Sequence, residues 1–427
     1  MTDVIGAIGA VIGYLGAEVA EPTLFDRLLW PQRYYNNASV YDVLVLLILM
    51  PMGGPLHRAA LQTLDQFREN GLYWGRCRGH MLNSAFFHKQ NSTYSIISND
   101  TSGNIVKEAR NGLWVQVLKM VNPARVFPSV LANTSSARPD LEGRPRDHSK
   151  RLRSRHTIKY LKLRPIFESV KGSVKVSEEQ PLSFTILLGI LVSELSAIGI
   201  ALFVGLWRGS SWLAVFFCIP LIFKLFGLAL SVRRERLTPE AVKLHPPAVP
   251  AADMKQSPGP STSLFEIHDG TNGFMLIESS PDLLLPFFRH YGHPIRESKV
   301  DRLREIWGIV LVYGFTVYFP AGLLALLWMD DPSRYIWLGY QTYTIVAMHI
   351  VRLIGLEGSG RTESGIAEHL QSGKQVCFSS GGVNILAELS IEEIESFEAG
   401  KTRVRQILQS HVWGQEHDMT TTTKPSF

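Results

Sequence analysis

Cysteine is nearly missing. The 427 residues hold three, Cys77, Cys218 and Cys377, scattered and without paired spacing. That excludes a disulfide framework, and the lone C-x-x-H of Cys77 and His80 has no second pair to complete a zinc site. The patterns G-x-x-x-x-G-K-[ST], G-x-S-x-G and H-E-x-x-H are absent too, and nothing supplies a nucleophile, base and orienter together. No catalytic residue, metal or cofactor is therefore expected, and the chain does not read as an enzyme. Net charge is small, +5, so the basic pI comes from local clusters rather than from the uniformly basic surface of a nucleic-acid binder.

What the sequence does have is long apolar runs. A hydrocarbon core of ~30 Å takes about 20 apolar residues in a helix. Four stretches reach that length: Leu182 to Trp207, Trp212 to Val232, Ile306 to Met329 and Tyr335 to Leu356. Short polar links, RGSS at 208–211 and DDPSR at 330–334, join them in pairs. Trp207, Trp212, Trp328, Tyr335 and Trp337 stand at the link ends, where amphipathic rings favour the headgroup level. The expected fold class is an α-helical multi-pass membrane protein with four transmembrane helices in two antiparallel hairpins, 182–232 and 306–356, plus a small cytosolic α+β module.

Charge asymmetry sets the expected sidedness. Lys and Arg crowd the flanks away from the links, from Lys162 to Lys175, Arg233 to Lys243 and Arg289 to Arg304, whereas the links hold only Arg208 and Arg334. Cations retained near a span favour the cytosolic side, which puts the C-terminus in the cytosol. The stretch HSKRLRSRHTIKYLKLRP at 148–165 has seven Lys or Arg and no acid. It is expected to orient the chain and to rest on anionic headgroups of the bilayer, with no nucleic acid as partner. Four N-x-[ST] triplets, at Asn37, Asn91, Asn99 and Asn133, would place the N-terminal third in the lumen if used. They conflict with the charge count, and the charge count is preferred.

Residues 1–56 hold two shorter apolar runs, 4–16 and 43–52, the first with Gly9 and Gly13 on a face suited to close helix packing. Both runs are short of the usual span length, and interfacial, re-entrant and spanning readings stay open for each. Residues 57–132 are expected to be a cytosolic helical segment, with amphipathic stretches at 56–70 and 106–121. Residues 133–181 read as a disordered basic linker and 233–262 as a Pro-rich one. Within 263–305, two apolar runs around Asp-Gly-Thr-Asn-Gly predict a β-hairpin, followed by a helix from Ser280 and Pro281. Within 357–412, KQVCF, SSGG and VNILAEL predict a second hairpin, with Ser390 and Glu393 as a capping box for a following helix. Because two strands alone are marginal in water, both hairpins are expected to join one small sheet. Residues 413–427 read as a disordered tail.

A few polar groups sit inside the apolar runs. Glu194 lies thirteen residues before Trp207 and Lys224 twelve after Trp212, so their depths from the link are about 20 and 18 Å. Opposite charges at matched depth relieve one another, which predicts an intramembrane ion pair. His349, three residues before Arg352, is a weaker titratable candidate. On function, the expectation is a non-enzymatic membrane scaffold or recruitment protein. The alternative is a small-solute or proton-coupled transporter that uses Glu194 and Lys224.

Overall fold

A computed structural model of the protein describes residues 2–36, 40–49, 51–69, 93–97, 106–109, 112–121, 156–167, 170, 172–177, 183–239, 262–268, 273–289, 291–292, 294–295, 297–356 and 361–420. The triplets at Asn37, Asn91, Asn99 and Asn133, the Cys77–His80 spacing, most of both linkers and the 413–427 tail beyond residue 420 lie outside these residues. The chain divides into a helical unit (Met1–Lys89, Ser177–Arg236, His290–Gly365) and a sheet unit (Gln90–Val176, Leu237–Arg289, Ile366–Phe427).

The helical unit is built on α1 (Thr2–Val19), α2 (Val40–Leu49), α3 (His57–Glu69), α4 (Phe184–Ser193), α5 (Leu195–Trp207), α6 (Ser211–Ala229), α7 (Lys299–Ala325) and α8 (Asp331–Ile354). Among the described residues only α6 and α7 are long and apolar enough to cross a membrane by themselves. A third crossing appears if α4 and α5, bent by 58° at their junction, count as one. The expectation of four spans is thus too high. The fourth stretch does form the 24-residue α8, but that helix is amphipathic rather than uniformly apolar. It turns Gln341 and Thr344 into the protein. A helix with a polar inner face needs polar partners, and it finds them in the core described below.

The paired packing also differs from two simple hairpins. α5 and α6 pack against each other, whereas α7 meets α8 near their link, where the Phe319 and Trp337 rings lie 5.6 Å apart. α1 fits closely here: a Cβ on Gly9 would come within 2.8 Å of Leu323, and one on Gly13 within 2.6 Å of Phe319. α3, expected in a separate cytosolic segment, packs along α7 instead. Its Ala59, Ala60, Leu64 and Phe67 share a core with Ile309, Val312 and Phe315. Only 39 % of the apolar window of α6, and the same share of α7, is buried. Trp212, Val215, Phe226, Val317 and Leu324 face outward on these two helices, and Leu202 of α5 joins the same apolar belt. Apolar exposure on that scale needs a non-aqueous surrounding or a partner.

The sheet unit contains eight strands in the order β2-β1-β5-β6-β3-β8-β7-β4. They are β1 (Thr93–Ile97), β2 (Val106–Glu108), β3 (His156–Ile166), β4 (Val174–Ser177), β5 (Ser263–His268), β6 (Phe274–Ser279), β7 (Val376–Ser380) and β8 (Val383–Ile394). The two hairpins expected from the sequence are β5–β6 and β7–β8, and the tight turn of the second uses Gly381 and Gly382 at positive φ. They do not pair with each other. β3 lies between them, parallel to β6 and antiparallel to β8.

β3 arises inside the segment that reads as a disordered basic linker. Two of its cations, Lys159 and Lys162, are used within the fold. Lys159 is 3 % exposed, and its ammonium donates to the Leu118 and Val121 carbonyls at 2.7 and 2.9 Å, capping the helix Leu113–Met120. Lys162 pairs with Glu278 at 3.0 Å. This part of the basic cluster is therefore not free to lie on headgroups, although Arg164 is exposed. Two local expectations are corrected for the same reason, that strand pairing supplies backbone partners. Ser390 and Glu393 lie in β8 opposite Tyr160 and Thr157, and the helix starts later, at Phe397 after Ser396. The 106–121 stretch splits into β2 and the shorter helix Leu113–Met120. The C-terminal helix Phe397–Thr420 packs on one sheet face through Val404 against Ile158, Leu264 and Leu276.

Candidate functional site

The site begins with a helix that fails at one residue. α4 starts well, with the Ser183 hydroxyl accepting from the Thr185 N–H. At its other end the Ser193 hydroxyl donates to the Ile190 carbonyl at 2.8 Å, and the Glu194 N–H bonds back to Leu191 and Val192. Back-bonding serine tightens and bends a helix. Glu194 consequently sits at φ −112°, ψ 14°, between α4 and α5, and regular bonding resumes with Ile198 N–H to the Glu194 carbonyl. The bend turns the Glu194 side chain into the protein, where it is fully buried.

The structure brings Glu194 and Lys224 together. The Lys224 ammonium, fully buried on α6, pairs with Glu194 Oε1 and donates to Ser193 Oγ at 2.9 Å. Ser193 therefore links the ammonium to the α4 backbone. Taking two such charges from water costs several kcal/mol per ion, which only close pairing and further hydrogen bonds offset.

A second break meets the first. Between α2 and α3 the chain passes through the buried, non-helical stretch Pro51–Leu56, Pro-Met-Gly-Gly-Pro-Leu. Its Met52 N–H donates to Glu194 Oε1 at 2.9 Å, and its Gly53 carbonyl accepts from Gln341 Nε2 of α8 at 3.1 Å. Glycine is required by close approach: a Cβ on Gly53 would run into the Tyr340 ring and hydroxyl, and one on Gly54 would meet Thr344 Oγ1 at 2.8 Å. The Leu56 carbonyl accepts from the Ala60 N–H of α3, while Glu194 and the inner face of α8 supply the partners of Met52 and Gly53.

Around the pair stand Tyr318, Tyr340, Tyr343 and the buried Arg27, all within electrostatic reach of Glu194. Among the described residues, Glu194 Oε2, Gln341 Oε1, the Tyr318 hydroxyl and Trp337 Nε1 have no hydrogen-bond partner. A second carboxylate oxygen is thus left open beside the pair. No group of three or more His, Cys, Asp and Glu that could hold a metal occurs among the described residues.

His349 is not part of this cluster. It is exposed on the outer face of α8, while Gln341 and Thr344 of the same helix point inward. His57, at the start of α3, is closer to the core. Its ring stacks on Phe319 at 5.7 Å, and burial holds its imidazole below the usual range.

The matched depth of Glu194 and Lys224 was readable from residue spacing. The roles of Ser193, Met52 and Gln341 were not, because they depend on where two breaks meet. The available signal was the pair of prolines and glycines at 51–55 interrupting an apolar run, together with a glutamine in the middle of another. Compared with protein-family models, curated proteins and solved structures, the chain matches none.

Proposed function

We propose that the chain is an integral membrane protein whose helical unit lies in the bilayer, and that it acts as a proton-coupled transporter of a small solute with Glu194 as the proton-carrying group. The carrying observation is the open Glu194 oxygen at the junction of two helix breaks, beside a buried lysine. Unwound backbone at membrane depth persists where it is enclosed by protein or lines a polar path, and ionisable groups there mark ion and proton routes. Protonating Glu194 would release Lys224 from its partner, which couples charge to the contact between α6 and the Pro51–Leu56 break.

One flank of the unit supports access to water. α3 turns Arg58, Asp65 and Arg68 outward while packing along the apolar α7, and Arg58 pairs with Glu18 at the surface. Charges beside a span face water or protein rather than lipid. On this reading the C-terminus is cytosolic, as the basic flanks of the apolar runs favour.

Dicyclohexylcarbodiimide, which reacts with protonated carboxyls in apolar surroundings, tests it. In reconstituted vesicles Glu194 should be modified, as read by mass spectrometry. If Glu194 stays unmodified at every pH while the unfolded chain is modified, the pair is a sealed lock. Transport is then rejected in favour of a membrane scaffold.

A further inference from the structure

The helical unit carries a second polar feature, whose ligand does not depend on the transport reading. Arg27, in the short helix Asp26–Leu29, is 3 % exposed. Among the described residues no carboxylate stands within ion-pair distance of it, and its Nε has no hydrogen-bond partner. Its guanidinium meets the Tyr34 ring at 5.9 Å, and Glu194 acts on it only from beyond ion-pair distance. A buried cation with no carboxylate in contact is expensive, and such sites are normally completed by something else.

A cleft that opens to the surface reaches it, and Arg27 lines that cleft. Val19, Leu49, Met348 and Val351 give the cleft apolar walls, and Arg352 at the end of α8 contributes a second guanidinium. Arg352 donates to the Glu18 carbonyl at 3.3 Å and is otherwise exposed. Glu21 on the rim brings the lining charge to a single net positive, the complement of one phosphodiester. Guanidinium groups match phosphate oxygens in geometry as well as charge. The mouth is apolar outside: Leu353 and Ile354, next to Arg352, are 84 % and 64 % exposed, and Ile48, next to Leu49, is 54 % exposed.

We infer that this cleft binds the phosphate of an anionic phospholipid, with Arg27 at its floor, Arg352 at its mouth and the acyl chains along the exposed faces of α2 and α8. The test is thermal unfolding of the detergent-purified chain with added dioleoyl phosphatidylglycerol, dioleoyl phosphatidylcholine or inorganic phosphate. Phosphatidylglycerol at about a hundredfold excess over its Kd should raise Tm by roughly 5–10 °C, and phosphatidylcholine should not. Arg352→Gln, an exposed change that leaves the fold intact, should weaken the effect about tenfold. Arg27→Met should raise the lipid-free Tm by removing the uncompensated charge, and should abolish the response to phosphatidylglycerol. Equal shifts with both lipids, or an undiminished response in Arg27→Met, would overturn the site. A full response to inorganic phosphate alone would overturn the lipid assignment.

Discussion

Replacing Lys224 with methionine isolates what the buried pair contributes. Methionine fills much of the lysine stem, so the change removes the ammonium and little else from the space around Ser193 and Glu194. Glu194 then keeps only the Met52 N–H as a partner, with its second oxygen already open. Breaking a buried pair on one side costs roughly 3–5 kcal/mol. For a unit of about 150–250 residues that lowers Tm by roughly 6–20 °C. Glu194→Gln alone should cost a similar amount, since it strands the ammonium with Ser193. The double variant Glu194→Gln/Lys224→Met removes both charges while the glutamine carbonyl still accepts from Met52. Its stability should return to within about 1 kcal/mol of the parent or exceed it. The assay is fluorescence-detected melting of each variant in one detergent. A Lys224→Met protein melting within about 2 °C of the parent would refute the reasoning, and so would a double variant no more stable than the weaker single one.

Gly53→Ala should destabilise the helical unit by about 1–3 kcal/mol, because its Cβ enters the space held by Tyr340. Adding Tyr340→Phe should recover part of that loss, and a cycle with no recovery would remove Tyr340 as the cause. His57 gives a pH dependence. Its imidazole is held below the usual value near 6.5 by burial, so the unfolded chain binds its proton first. Stability is therefore complete above about pH 6.5 and declines as pH falls below it, towards the depressed folded value. Melting between pH 5 and 8 should show this slope, and His57→Phe should reduce it.

The sequence carried the parts that depend on local composition. Apolar length places the helices of the paired runs, and turn residues between short apolar segments place β5–β6 and β7–β8. Residue counting brought Glu194 and Lys224 to one depth, because helix rise is fixed and the link is short. Tertiary structure decided what each element meets. β3 carries cations on a stretch that reads as a solvated linker, and only the neighbouring helix end and Glu278 give Lys159 and Lys162 their partners. α8 looks like a span by length, but its inner polar face is meaningful only against the Pro51–Leu56 break. Periodicity reveals which side of an element is apolar or charged. Distant residues determine what lies opposite that side, and their approach is set by packing of the whole chain.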